Sequence, residues 1–487
     1  MTFEEFSILA QSYNVIPLSE TTLADTLTPV SAYLRLRQHS KHSFLFESVE
    51  GGERVARYSF IGLDPVVLLR CRDKTTTIME NGEERSSTGN FFDIIQDLIG
   101  KYRQPQIPGL PRFTGGLVGF IGYDAIRFVE DIPAAAAEQY GYPDSILGLF
   151  TSVVAFDHLK HRVVVIVNVS VDGGQDLSSQ YDDAAARITR ITRMLADERP
   201  DAGRFQLAPD RIQSEITPPE FHEMVLAAKE HIVEGDIFQV VLSQRFITSY
   251  TGDVFNVYRA LRIINPSPYL YFLSMDGYFV IGSSPEILVR VENDVAEVYP
   301  IAGTRPRGKS DAEDQALEAD LLSDEKECAE HIMLVDLGRN DLGRVCETGS
   351  VVVHRLMSVV RYSHVMHIAS QVVGKVSPEK SCLDVLKATF PAGTVSGAPK
   401  IRAMEIIDAL EKNRRGFYAG GVGYFDFSGN MDMCIAIRTM FASGDRIYLQ
   451  AGAGIVADSV PENEFLETVN KSRALVEALH MAEEIGR

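Results

Sequence analysis

The sequence predicts an α+β protein in which large antiparallel β-sheets pack together with helices on the outside. Short strand-like runs follow one another through the first half, helical segments gather elsewhere, and no repeat of fixed period appears. A doubly wound sheet would instead need strands and helices to alternate along the chain.

In chain order, strands are expected at 43–49, 57–61, 66–72, 75–79, 115–121, 152–157 and 163–171, each an apolar or β-branched run bounded by polar turns. A helix is expected over 177–198, and the Pro- and Asp-bearing stretch 199–216 reads as a linker. Thr217-Pro218-Pro219-Glu220 then offers a capping threonine, a proline at the first helical position and a glutamate three residues after the cap. A helix therefore starts there and runs to about Val233, with Gly235 ending it. Further strands are expected at 238–248, 269–274, 277–283, 288–292, 295–299 and 446–450, and helices at 312–338, 381–389, 399–411 and 461–485. The alanine run 134–137 reads as surface helix or loop. This divides the chain into a region 1–205 and a domain 217–487, with first-half strands able to complete second-half sheets.

The 487 residues are 45% hydrophobic and 23% charged, the balance of a soluble globular protein. A net charge of −20 argues against nucleic acid or an anionic membrane as the main partner. The first ten residues carry Glu4 and Glu5 and no basic segment, so no signal peptide is expected. The apolar run 163–171, broken by Asn168, is too short to span a bilayer. Five scattered cysteines without a C-x-x-C pair point to reduced thiols and a cytoplasmic location. Tryptophan is absent, which chance alone accounts for.

Four segments carry chemistry. Pro300-Ile301-Ala302-Gly303-Thr304-Arg305-Pro306-Arg307-Gly308 reads either as a structural turn or as a loop whose N–H groups, threonine and arginines meet an anion. Glu327 and Glu330 share one helix face, as do Glu464, Glu467 and Lys471, which suits either a solvated face with an ordinary ion pair or a metal site. Gly452-Ala453-Gly454-Ile455-Val456-Ala457 fits a dinucleotide-binding fingerprint, but the second strand of a βαβ unit does not follow. The same glycines let backbone approach a carboxylate closely.

These segments resemble the chorismate-using enzymes: anthranilate synthase large subunits, aminodeoxychorismate synthases, and isochorismate and salicylate synthases. Similarity to the anthranilate synthase large subunit (component I) covers nearly the whole chain and is most specific over 230–475. The resemblance implies magnesium between two helices, with Glu330 and Glu467 as direct ligands and Glu327 and Glu464 ligating it or holding its waters. Lys471 would meet the same substrate carboxylate or its water. It implies that Arg438 and Tyr418 bind the pyruvyl carboxylate, with Gly452 and Gly454 as backbone donors and Gly303 and Thr304 near the ring carboxylate. Thr394 precedes a helix whose first turn holds Pro399, and is either a substrate-binding residue where a ligand oxygen would feel the helix N-terminus or a plain cap. Glu286 matches the general acid that protonates the departing hydroxyl, and such a group needs a raised pKa. His367 matches the histidine of aromatisation and pyruvate loss.

Two positions separate the sister activities. Gln239 stands where water-adding members carry lysine, and an amide cannot serve as base. Ala302 stands where aminodeoxychorismate synthases carry a nucleophilic lysine. The resemblance therefore implies addition of ammonia to chorismate, then loss of pyruvate. The alternatives are aminodeoxychorismate synthase and a non-catalytic aromatic-ligand-binding paralogue. Glu47, Ser48 and Arg57, with Pro268-Tyr269-Leu270, resemble the family's tryptophan feedback site, which would make 1–205 regulatory and 217–487 catalytic. No glutaminase segment is recognised, so glutamine use would need an amidotransferase subunit (component II) in a heterotetramer.

Overall fold

Alternation along single strands shows why the chain builds two stacked sheets. Phe44, Tyr271 and Leu273 face one apolar cluster while their neighbours Leu45, Leu270 and Phe272 face another. A strand buried on both faces needs a partner layer on each. A computed structural model describes residues 1–48, 57–133, 141–171, 176–197, 202–208, 212–361 and 365–485.

The first sheet has 13 strands, ordered Val15–Leu23, Arg162–Ser170, Ser152–Asp157, Tyr58–Leu63, Ser43–Glu47, Tyr269–Met275, Tyr278–Ser284, Thr439–Ser443, Arg446–Ile455, Gln239–Gly252 and Phe205–Leu207. The short strands Gln213–Ser214 and Gly397–Ala398 also pair with Gln239–Gly252. The second has 12, ordered Ile301–Pro306, Val365–Lys375, Val295–Val298, Ile287–Glu292, Met431–Ile435, Gly421–Asp426, Gly116–Ile121, Ser145–Phe150, Val67–Arg72, Thr75–Glu80 and Glu83–Thr88, with Val352–Arg361 on Val365–Lys375. All pairings are antiparallel. Both sheets mix strands from either half: Leu270 lies opposite Glu47 in one, Gly423 opposite Gly119 in the other.

The larger core cluster fills the space between the sheets and includes Phe44, Phe113, Phe120, Phe150, Tyr271 and Met433. The second lies on the outer face of the first sheet, under helices Leu177–Asp197, Phe255–Ile264 and Pro461–Ala482. The α+β expectation holds. Among the described residues no helix is long and apolar enough to cross a membrane, and all five cysteines are free thiols.

Three expectations are corrected. The helix expected over 312–338 is two helices, Asp311–Ser323 and Glu325–Gly343. Asp324 leaves helical geometry at ψ 103° and its carboxylate accepts from the N–H groups of Lys326 and Glu327, so it caps a new helix. The linker 199–216 contributes the strands Phe205–Leu207 and Gln213–Ser214, because the long strand Gln239–Gly252 offers an open edge to pair with. The run 300–308 is an edge strand over Ile301–Pro306 with a register shift between Ala302 and Arg305; Gly303 takes φ +67° in it. The alanine run 134–137 lies outside the described residues, as does Val49.

Candidate functional site

Two neighbouring crossovers between the sheets build the site. Strand Tyr278–Ser284 leaves the first sheet through Pro285 and Glu286 and continues as Ile287–Glu292 in the second. Strand Met431–Ile435 returns through Arg438 to Thr439–Ser443 in the first. The crossovers are tied together: Ile435 N–H donates to Glu286 O (3.0 Å), Ser284 Oγ to Ile435 O (2.7 Å), and Ser283 N–H to Arg438 O (3.1 Å). Arg438 (φ +50°) and Ala419 (φ +63°) are held in the left-handed region, which costs a side-chain-bearing residue about 1–2 kcal/mol. The fixed crossovers hold that strain and aim the arginine.

A cavity of about 800 Å³ opens there, and every residue singled out above for catalysis, substrate or metal lines it: Gln239, Glu286, Gly303, Thr304, Glu327, Glu330, His367, Thr394, Tyr418, Arg438, Gly452, Gly454, Glu464, Glu467 and Lys471. Glu327 and Glu330 come from helix Glu325–Gly343, and Glu464, Glu467 and Lys471 from helix Pro461–Ala482. Burial raises the Glu327 carboxyl above its usual range, and the charges of Glu330 and Asp324 raise it further. Burial and Glu467 do the same to Glu464. Four hard oxygen donors, two of them held above their normal pKa partly by neighbouring acids, fit a divalent cation. Each side also meets protein donors. Gln239 Nε2 donates to Glu330 Oε1 (3.0 Å), Arg305 lies 3.4 Å from Glu327, and Lys471 Nζ lies 2.7 Å from Glu467. Among the described residues only His231, Glu234 and Asp236 bring three ligand atoms within 4.8 Å of one another, so no three of the four glutamates close that tightly.

Glu286 carries a proton-donor environment. Burial raises its pKa, against the opposing effects of the Thr394 hydroxyl, which donates to Oε2 at 3.1 Å, and the Lys471 and Arg438 charges. His367 Nδ1 lies 2.8 Å from Gly303 O and 3.1 Å from Thr304 Oγ1. A carbonyl can only accept, so Nδ1 carries the proton and Nε2 is the basic nitrogen. Burial lowers the His367 pKa, which keeps the ring neutral and able to take a proton.

The fingerprint glycines lie within strand Arg446–Ile455, with Gly452 opposite Ser243 and Gly454 opposite Val241. They make room for side chains rather than a turn. A β-carbon on Gly452 would stand 2.7 Å from Tyr418 Oη, and one on Gly454 would stand 2.7 Å from Gln239 Nε2. Lys471 Nζ donates to Gly452 O at 3.0 Å.

Two local expectations fail. Arg305 and Arg307 do not offer themselves to an anion: Arg305 pairs with Asp320, Asp324 and Glu327, and Arg307 with Asp314. Acidic residues of the two following helices neutralise them. Thr394 is not at a helix start. It sits in the short turn Gly393–Val395, separated from helix Lys400–Leu410 by strand Gly397–Ala398, and its hydroxyl serves Glu286.

A second cavity, about 50 Å³, is lined by Glu47, Ser48, Tyr58, Pro268, Tyr269 and Leu270, among others. Glu47 is buried and accepts from Arg262 (2.9 and 3.2 Å) and Tyr258 Oη (2.5 Å). Arg57 stands behind the lining, paired with Asp157 and stacked on Tyr58. This cavity is far smaller than the one around Glu286.

Sequence reading missed Asp324, Arg262, the buried pair Arg415–Glu411, and Gln450, which lines the cavity and donates from Nε2 to Ser243 Oγ at 2.8 Å. Asp324 had a signal, since Asp324 and Glu327 stand at the spacing of a capping box. The other three had none: Gln450 and Arg262 meet segments far away in the chain, and Arg415 and Glu411, though four residues apart, are placed by Val241, Val395 and Ser243.

The family model for chorismate binding enzymes matches residues 41–477. Anthranilate synthase component 1 of Acetivibrio thermocellus is 49% identical over 99% of both chains, and that of Aquifex aeolicus is 48% identical over 99% of this chain and 98% of its own. The crystal structure of anthranilate synthase component I from Streptococcus pneumoniae aligns with a TM-score of 0.74 at 40% identity, covering 94% of this chain and 99% of that one. The menaquinone-specific isochorismate synthase of Escherichia coli shares the fold, with a TM-score of 0.73 at 20% identity over 98% of each chain.

Proposed function

The chain belongs to the chorismate-binding enzyme family, and we propose that it acts as the large subunit of an anthranilate synthase, taking chorismate and ammonia to anthranilate and pyruvate. The observation that carries this is the meeting, in one cavity, of the Glu286 carboxyl, held by the Thr394 hydroxyl, and the His367 imidazole, whose Nδ1 is held by the Gly303 carbonyl and leaves Nε2 as the basic nitrogen. The ammonia lone pair forms the carbon–nitrogen bond as the ring hydroxyl departs, and Glu286 supplies the proton with which it leaves as water. The new ammonium group gives up a proton to solvent, and Nε2 of His367 then takes the ring proton as the carbon–oxygen bond to the enolpyruvyl group breaks; the ring becomes aromatic, and the departing enolate takes a proton at its methylene carbon to become pyruvate.

Arg438 and Tyr418 grip the pyruvyl carboxylate, while Gly303 and Thr304 lie beside the ring carboxylate. Glu330 and Glu467 would hold magnesium, with Glu327 and Glu464 as further or water-mediated ligands. Bound there, the ion supplies positive charge against the ring carboxylate. Gln239, tied to Glu330 and without a basic nitrogen, gives water no activation. Ala302 offers no nucleophile, which disfavours the aminodeoxychorismate reading.

The enzyme is a magnesium-dependent carbon–oxygen lyase of the cytoplasm. Residues 1–205 build the regulatory site together with Pro268, Tyr269 and Leu270 of the catalytic region; tryptophan's amine would take Glu47 from Arg262 and its indole would pack on those three. A glutamine amidotransferase subunit supplies ammonia within a heterotetramer.

Mixing the chain with chorismate, magnesium and an ammonium salt tests the assignment. Anthranilate fluorescence with stoichiometric pyruvate is expected. A 4-amino product would indicate the sister enzyme, and no turnover would indicate the binding paralogue.

A further inference from the structure

Beneath the cavity floor lies a charged pair that the reaction above does not use. Arg415 is among the largest fully buried side chains, 1% exposed, and Glu411 is buried with it. Arg415 donates to both Glu411 oxygens (3.0 and 2.6 Å), to Val395 O (2.7 Å) and to Val241 O (2.6 Å). Its guanidinium lies 4.8 Å from the Tyr123 ring centre and 5.5 Å from that of Tyr418. Glu411 in turn accepts from the N–H and Oγ of Ser243, both at 2.8 Å.

Burying such a pair costs several kcal/mol per ion, and an apolar replacement often serves stability as well, so stability alone is a weak account of it. Its contacts converge on the site instead. Val241, Val395 and Tyr418 all line the cavity, and Val395 directly follows Thr394, whose hydroxyl holds Glu286. A guanidinium fork is rigid, so it fixes these groups relative to one another as a single ammonium could not.

We infer that the Arg415–Glu411 pair is the positioning element of this active site, seating the Tyr418 phenol over Gly452 and the Thr394 hydroxyl on Glu286. This rests on the reaction assigned above. Neither residue touches substrate; both act through Tyr418 and Thr394. The groups facing Glu286 are Thr394, Lys471, Arg438 and the Tyr418 phenol, and of these Thr394 and Tyr418 hang from the pair.

Steady-state kinetics and melting curves of Arg415→Met, Arg415→Lys and Glu411→Gln test this, with Arg37→Met, which removes the ion pair to Asp253 outside the cavity, as control. Arg415→Met is expected to lose about tenfold to hundredfold in kcat/KM, the scale of a misplacement near an ångström. Its chorismate KM should rise through Tyr418. The alkaline limb of kcat should move to higher pH as Glu286 loses the hydroxyl that lowers its pKa. Arg415→Lys should recover only part, whereas Arg37→Met should lower only the melting temperature. An Arg415→Met protein with parental KM, kcat and alkaline limb overturns the inference. If that variant does not fold, parental values in both Arg415→Lys and Glu411→Gln overturn it equally. Absence of turnover by the unaltered chain would refute the assigned reaction instead. Chorismate affinity by calorimetry would then make the same comparison among the variants.

Discussion

Gly452→Ala tests the floor of the site most directly. The added methyl carbon would stand 2.7 Å from Tyr418 Oη, 3.0 Å from Leu242 O and 3.0 Å from Val241 Cγ1. A carbon and an oxygen sit at about 3.3–3.6 Å when in contact, so the phenol must retreat by roughly 0.6 Å or more. Tyr418 is 4% exposed and backed by Arg415, so the space open to the displaced phenol is the cavity it lines, away from its seat on the glycine. Overpacking of this kind costs about 1–3 kcal/mol of stability. On the scale where an ångström of misplacement costs about a hundredfold, half of that costs about tenfold in kcat/KM, or about 1.4 kcal/mol of transition-state binding. The assay is anthranilate fluorescence at saturating ammonium and magnesium with chorismate varied, beside a melting curve. A variant that melts lower yet keeps its chorismate KM and kcat within about twofold would refute the claim that Tyr418 Oη must rest on this glycine to hold substrate.

The other predictions concern proton, metal and effector. Burial keeps the Glu286 pKa above the ordinary carboxyl range, so the rate should hold below that folded pKa and fall as pH rises through it. Glu286→Gln has no proton to give; it should lose about 10²- to 10⁴-fold in kcat, along with that alkaline limb. Chelation of divalent cations should abolish turnover and magnesium should restore it, while Glu467→Gln should raise the magnesium concentration needed for half-maximal rate; a chelator-insensitive rate would count against the glutamate site. Ser48→Phe should fill the small cavity beside Tyr269 and remove tryptophan inhibition with little change in uninhibited rate, and inhibition curves matching the parent would place the effector elsewhere.

Local patterns determined a good deal by themselves. The α+β class, the capped start at Thr217 and the shared faces of Glu327 with Glu330 and of Glu464 with Glu467 follow from propensity and period, which act over a few residues. Motif resemblance supplied Glu286, His367 and Arg438 as candidates, and all three line the one cavity. Only the tertiary structure decided what those residues do to one another. Arg305 and Arg307 read as free cations until the acids of two later helices were seen to neutralise them, and Thr394 read as a helix-start residue until it was found on Glu286. The proton on His367 Nδ1 depends on the Gly303 carbonyl, 64 positions away, and the Tyr418 seat depends on Gly452 and on the buried Arg415. Burial, charge pairing and tautomer are set by groups that meet only after both sheets have formed, and no window of sequence carries them.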